Sequence, residues 1–321
     1  MRSGRGCTPA RIGQHWPLFS VCLLAASGLL FAFMAGHYPA WAAAEAARAA
    51  GCEGAAGELA VRCWRSAVLQ LPAATGPAFL RDVLLAAPPR QAAATATSPS
   101  TAAAGLSFSS AYLRLWGGRT AAELHAGQAY RWLTAPLLHT DVRHLAANLA
   151  LFAALGCQME VKYGTVRLLA VWLLAAVGGE LLSVAAEDPC RQVVGLSGGD
   201  FGLLGLFCAD ALLNFKTVRR PILRCTAIAI LLGFLIYTLA VHQGSVSAMT
   251  HLGGLLCGLL PSLLVLPRLA SERAEAAWPA LGGAAVLTWF TVLPAWVYRV
   301  RLPAAAEACG AAAEAGAGGS A

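Results

Sequence analysis

The chain predicts an all-α polytopic membrane protein, and three observations carry that prediction. Of its 321 residues, 58% are hydrophobic and only 12% charged, about half the charged fraction of a soluble domain. Several apolar runs approach the roughly 20 residues that a helix needs to cross a bilayer. Basic residues gather in the short segments between those runs, as membrane orientation requires.

Seven runs qualify, to within a few residues: Pro17–Ala35, His144–Met159, Leu168–Ala185, Val193–Leu213, Ile222–Val241, Ser245–Leu266 and Trp278–Val297. The first follows Arg2, Arg5 and Arg11 with no acid before it. A cleaved signal peptide is its rival reading, with Ala42-Ala43-Ala44 as a small-residue cleavage site. The run is longer than a signal core, and a seven-helix bundle needs it, so a retained helix is expected. The second run is short and carries polar residues. The stretch Leu69–Ala87 holds Arg81 and Asp82 and is excluded.

The expected organisation has a tail at 1–16, a first span at 17–36 and an Ala-rich segment at 37–129. A core at 130–266 holds spans two to six. A loop at 267–277, a seventh span at 278–298 and a low-complexity tail at 299–321 complete the chain. Lys162 and Arg167, then Lys216, Arg219, Arg220 and Arg224, then Arg268 and Arg273 fall on the same side as the basic N-terminus. That side is cytosolic by the charge rule, so the C-terminus is not. The opposite loops, Glu187–Gln192 and His242–Gly244, hold one arginine. The net charge of +7 is explained by these loops, and no nucleic-acid partner is expected.

Orientation also sorts nine of the ten cysteines, all but Cys7. Cys52, Cys63, Cys190 and Cys309 fall on the non-cytosolic face, where disulfides persist. Four cysteines allow three pairings, and sequence does not choose among them. A disulfide involving Cys52 or Cys63 is expected. Cys22, Cys157, Cys208, Cys225 and Cys257 lie in or beside apolar runs and should behave as small apolar residues. No CxxC or HExxH occurs, so neither metal nor cofactor is implied.

The chemistry-bearing residues lie within the spans. Ser197 sits in Gly195-Leu196-Ser197-Gly198-Gly199, expected about one turn inside the non-cytosolic end of the fourth span. His251 sits in Thr250-His251-Leu252-Gly253-Gly254, expected roughly two turns into the sixth. A histidine in reach of a serine takes its proton and makes a nucleophile of the hydroxyl. The glycines around Ser197 are expected to leave room for a substrate backbone. The rival reading is close helix packing, because Gly254-x-x-x-Gly258 is a packing motif in its own right. His144 and Asn148 are four apart and share one helical face, near the non-cytosolic end of the second span. Their N–H groups suit the stabilisation of a carbonyl oxyanion. An interhelical polar clasp is the alternative. Asp200 and Glu180 are awkward acids within apolar runs. For Asp200 a solvated cavity position is expected in preference to a tuning role on the Ser–His pair.

Taken in order, Tyr130-Arg131, His139…His144…Asn148, Gly156…Glu160…Gly164, Gly195-x-Ser197-Gly198 and His251-x-x-Gly254-x-x-x-Gly258 resemble the signature of rhomboid intramembrane serine proteases. The resemblance spans about Trp116 to Leu266. It implies a rhomboid-like six-helix bundle with an additional C-terminal transmembrane helix. It also implies that residues 130–266 are the catalytic core, with Ser197 as nucleophile and His251 as general base. His144, Asn148 and the Ser197 backbone N–H would form the oxyanion site. Phe201 would pack beneath His251, and Gly254 and Gly258 would let the sixth span press on the fourth. Arg131 would be structural in a membrane-associated loop, where Tyr130 replaces the family's Trp. Glu160 would join a structural network at the cytosolic end of the second span.

The resemblance further implies single-span transmembrane protein substrates within membrane lipid, cut near the non-cytosolic side through an acyl-enzyme. A seventh helix after the core is similar to the secretory-pathway members, implying Golgi, endosome or plasma membrane. Two rivals stand beside this reading. One is an inactive rhomboid-like scaffold that binds client proteins; intact Ser197, His251, His144 and Asn148 argue against it. The other is a transporter, which predicts internal repeats or broken helix pairs that the sequence lacks.

Overall fold

Polar backbone groups in lipid must be satisfied within each segment, and helices do this. In the computed structural model, residues 15–49, 107–215, 218, 220–241, 247–266 and 277–309 are described, and among them no strand occurs. Helices α1 (Leu18–Ala49), α5 (Val142–Tyr163), α6 (Thr165–Ala186), α7 (Ser197–Asn214), α8 (Pro221–Val241), α9 (Ala248–Val265) and α10 (Ala277–Trp296) form the bundle. Three short helices lie before α5: α2 (Ser110–Leu115), α3 (Ala121–His125) and α4 (Arg131–Thr134), the last running into a 3-10 turn at Ala135–Leu137.

Each of the seven apolar runs coincides with one long helix, with two kinds of difference. First, among the described residues only α1, α6, α8, α9 and α10 with its continuation contain a stretch long and apolar enough to cross a membrane. Helix α5 carries His144, Asn148, Glu160 and Lys162, and α7 carries Asp200 and Asp210. Asn148, Glu160, Asp200 and Asp210 are buried inside the protein, which is where lipid-depth polar groups are tolerated. Second, the ends move. Helix α1 runs on through the alanines to Ala49, because alanine is the best helix former, so the boundary at 36 is too early. Helices α2 and α3 lie in what was expected to be loop. Beyond α10, a π-helical turn at Val297–Arg301 leads into helical residues 302–309, so the tail does not begin at 299. Pro303 lies just past that turn; its missing N–H and its ring disrupt the normal ladder.

Local signals start and stop the helices near the site. Asp141 caps α5 by accepting from the His144 N–H at 2.9 Å, and Ser247 caps α9 by accepting from the Thr250 N–H at 3.2 Å. Gly164, at φ 87°, ends α5 and starts α6. At that end Glu160 accepts from the backbone N–H groups of Phe19 and Ser20, each at 2.8 Å, and so caps the start of α1.

Packing centres on α9, which lies most extensively on α7 and α6. Between lipid-embedded helices there is no hydrophobic drive, so close backbone contact carries the association. Gly254 lies against the Gly198 carbonyl and Gly258 against the Gly202 carbonyl, with no space for a Cβ at either. Helix α8 touches the bundle lightly and exposes Ile222, Leu223, Ile230, Ile236 and Tyr237.

Candidate functional site

Ser197 is the first residue of α7, not one turn inside it. The apolar run begins at Val193, but the chain from Val193 to Leu196 is not helical, and Gly195 bends it at φ 125°. A Cβ on Gly195 would meet the His144 imidazole at 2.8 Å, so glycine brings this strand of backbone onto α5. His251 is likewise one turn into α9 rather than two, since α9 starts at Ala248. Both residues therefore sit at helix N-termini, on the same end of the bundle.

The four polar residues meet. Ser197, His251, His144 and Asn148 line one cavity of about 230 Å³, together with Thr140, Arg191, Gln192, Ser247 and the apolar Leu151, Val194, Phe201 and Phe234. Phe201, one turn after Ser197, stacks on His251 with ring centroids 4.3 Å apart and planes 17° apart. This fixes the imidazole plane. His251 Nδ1 is buried without a partner, which leaves Nε2 to face the cavity. No hydrogen bond joins Ser197 to His251; such contacts commonly tighten only when substrate arrives.

The opposite wall presents donors. Asn148 Nδ2 is buried and unpartnered. His144 Nδ1 lies 3.2 Å from the Thr140 hydroxyl, which also approaches Asp141 Oδ2 at 2.9 Å. Because the Thr140 hydroxyl proton goes to Asp141, His144 donates from Nδ1–H to the Thr140 oxygen, and the ring places its Nε2 edge beside Gly195. The N–H groups of Ser197 and Gly198 open α7 and have no intrahelical carbonyl, and the positive end of the α7 dipole adds to them. His139 packs edge-on against His144, centroids 5.1 Å apart. Burial, and then the neighbouring His144, push His139 down to about 3.

Some glycines do a different job from the expected one. Gly198 admits Thr250, and Gly199 admits the Trp172 indole; both make room for neighbouring helices and neither opens space beside the hydroxyl. Asp200 also departs from expectation. It is fully buried and is not among the cavity residues, so it is no solvated position. The Trp172 indole faces it, though neither Asp200 oxygen makes a hydrogen bond of normal geometry. Its place in the first turn of α7 sets an acid at the positive end of the helix. Glu180 pairs with Arg119 in a buried contact, which removes its awkwardness.

Beyond the expected set, a polar chain supports α9. Glu187, the residue that ends α6, accepts from the Ser247 hydroxyl at 2.6 Å and the Met249 N–H at 3.0 Å. Arg301 donates to the Glu187 carbonyl at 2.6 Å. Arg119 reaches Ser183 at 3.1 Å, and Ser183 donates to Glu187 at 2.8 Å. Arg131 is buried and holds the loop carbonyls of Arg114 at 2.7 Å and Gly118 at 2.5 Å. Cys190 and Cys309 form a disulfide, one of the possible pairings. Cys52 and Cys63 lie outside the described residues, as do the basic residues Lys216, Arg219, Arg268 and Arg273 and the loop at 242–244. Among the described residues no cluster could hold a metal ion. Thr140, inside the string His139–Asn148, was the one missed residue with a nearby signal; Arg191, Ser247 and Phe234 had none.

Comparison with known proteins adds the family context. Residues 126–268 match the family model described as Rhomboid domain. The chain is 30% identical over 164 residues to Rhomboid-like protease 1 of Toxoplasma gondii, covering 50% of this chain and 55% of that protein. It is 31% identical over 148 residues to Rhomboid-like protease 3 of the same organism, covering 46% and 56%. Against RHOMBOID-like protein 5 of Arabidopsis thaliana it is 28% identical over 158 residues, covering 49% and 50%. The chain thus spans about half the length of the curated relatives it matches. These matches support the rhomboid family, and with the helix bundle they describe an all-α, multi-pass membrane protein of rhomboid fold.

Proposed function

We propose that the chain is a rhomboid intramembrane serine endopeptidase that cuts single-span transmembrane proteins near the non-cytosolic side of the bilayer. One observation carries the reading: Ser197, His251, His144 and Asn148, from three helices, line a single cavity, and the Asn148 amide among them is buried without a partner. A scaffold gains nothing from a buried donor left unpaired, which costs about 1–3 kcal/mol.

In this reading His251 Nε2 takes the Ser197 proton as Oγ attacks the substrate carbonyl. The oxyanion that forms is met by Asn148 Nδ2 and the Ser197 N–H, and by His144 once its ring carries a proton on Nε2 as well as Nδ1. Collapse breaks the C–N bond, and His251 returns the proton to the leaving amine. Water then attacks the acyl-Ser197 ester, again through His251, and releases the second product. Phe201 keeps the imidazole in plane throughout. The lightly held α8 borders the cavity through Phe234 and offers a side on which a substrate helix would enter from membrane lipid. Seven spanning helices, with the N-terminus cytosolic and a helix added after the six-helix core, fit a secretory-pathway membrane: Golgi, endosome or plasma membrane. The disulfide between the α6–α7 loop and the C-terminal helix supports that sidedness, since it needs both on one oxidising face.

The test is co-expression of the chain, or its Ser197→Ala variant, with a tagged single-span reporter. Release of the reporter ectodomain by the chain and its loss in Ser197→Ala is expected. Release that persists in the variant would sink the mechanism.

A further inference from the structure

Arg191 is the one formally charged residue, among the described residues, that lines the cavity. It lies on the loop between α6 and α7, six positions before Ser197, and is half-buried. That loop is held at several points. Arg301 grips the Glu187 carbonyl, the disulfide fixes Cys190, and Val193 bridges to Arg119 through backbone hydrogen bonds of 3.0 and 3.4 Å. The loop that carries Arg191 is thus fixed at the rim of the cavity.

The acids around it are already engaged. Glu187 is taken by Ser183, Ser247 and Met249. Asp188 accepts from the Cys190 N–H at 2.9 Å, and Asp141 accepts from the His144 N–H. No carboxylate among the described residues pairs with Arg191, whereas Arg119 and Arg224 each have one. The N-terminal end of α7 adds positive potential to the same mouth. A half-buried cation with no partner, in a cavity rimmed by helix N-termini, attracts an anion, and guanidinium matches a carboxylate in shape.

We propose that Arg191 is a specificity residue that reads an acidic side chain of the substrate. The residue read would lie beside the cut, on the flank that emerges at this end of the bundle. This rests on the protease reading above and adds a substrate class to it: single-span proteins with Asp or Glu at that flank.

The test uses the full chain in phosphatidylcholine vesicles with reporters that carry Glu, Gln or Lys at one flanking position, scanned residue by residue. At the position read, kcat/KM for Glu exceeds that for Lys by about fivefold, the size of one partly screened charge pair. Arg191→Glu reverses the order, and Arg191→Gln removes it, which covers the event that the reversed charge misfolds. An unchanged Glu-to-Lys ratio across these variants overturns the proposal. Co-purification of the Glu and Lys reporters with the Ser197→Ala chain provides a readout that needs no cleavage. If nothing is cut, the protease reading fails, and reversal of this binding preference in Ser197→Ala/Arg191→Glu still decides the proposal. Adding phosphatidylglycerol separates the remaining source of anion. An Arg191 effect that follows lipid charge and ignores reporter charge also overturns it.

Discussion

The acids where α5 turns into α6 and the amide and imidazole groups at the cavity end are treated in opposite ways. At the end where α5 turns into α6, the acids are surrounded. Asp210 takes Lys162 at 2.7 and 2.9 Å and also meets Tyr163, Arg224 and Asn214. Glu160 takes two backbone N–H groups and the Thr165 hydroxyl at 2.6 Å. At the cavity end, His251 Nδ1, Asn148 Nδ2 and both His139 nitrogens are buried without partners. Satisfied groups hold helices together, whereas an unsatisfied donor that lines the cavity, as Asn148 Nδ2 does, stores a cost that a bound carbonyl would relieve. On the protease reading proposed above, the first end serves stability and the second would bind a transition state.

The comparison breaks first at Asp210. Asp210→Ala removes the anion shared by Lys162 and Arg224, and stability should fall by about 3–5 kcal/mol. Thermal unfolding in detergent measures it, and kcat/KM per folded molecule should stay near wild type. A large loss of kcat/KM in folded protein would mean that the two ends are not separable. Next comes Asn148→Ala, where the roles reverse. Cleavage should fall about 100-fold, as for loss of one oxyanion donor, with the unfolding midpoint level or raised. A drop in midpoint together with unchanged kcat/KM would make Asn148 a clasp between helices.

The smallest effect sharpens the comparison through pH. Folding holds the His139 imidazole near 3, below its unfolded value of about 6.5. Below pH 6.5 the unfolded chain therefore binds a proton that the folded chain refuses. Stability contributed by this site is complete above pH 6.5 and is lost as pH falls toward 3, by at most about 1.4 kcal/mol per unit. The midpoint of His139→Leu should fall less between pH 7 and 4.5 than that of the wild type. Equal slopes would show that His139 takes up no unfavourable burial.

Much of this arrangement was legible in the sequence, for stated physical reasons. Apolar runs overlapped all seven long helices, though only five among the described residues are apolar enough to cross a membrane, and the i, i+4 spacing put His144 and Asn148 on one face. The depth of Ser197 was misread because apolarity at Val193–Leu196 says nothing of a backbone bent at Gly195. Asp200 was misplaced because its neighbour Trp172 comes from another helix and leaves no local trace. Glu180 and Arg119 are 61 residues apart, and the grip of Arg301 on Glu187 spans 114. Such pairings depend on tertiary contact, which no spacing rule encodes. Arg191 stayed hidden for a different reason: in a short loop it counts as one more basic residue for orientation.

The Cys190–Cys309 bond closes a covalent ring whose ends are 119 residues apart in sequence. Ser197 and His251 both lie on that ring, and so do the connections at 216–219, 242–246 and 267–276. A single backbone cut in any of them would leave the pieces joined until the disulfide is reduced. At 242–246, the connection expected on the same face as the disulfide and the one that separates Ser197 from His251, nicking would therefore not release a fragment carrying half of the Ser–His pair.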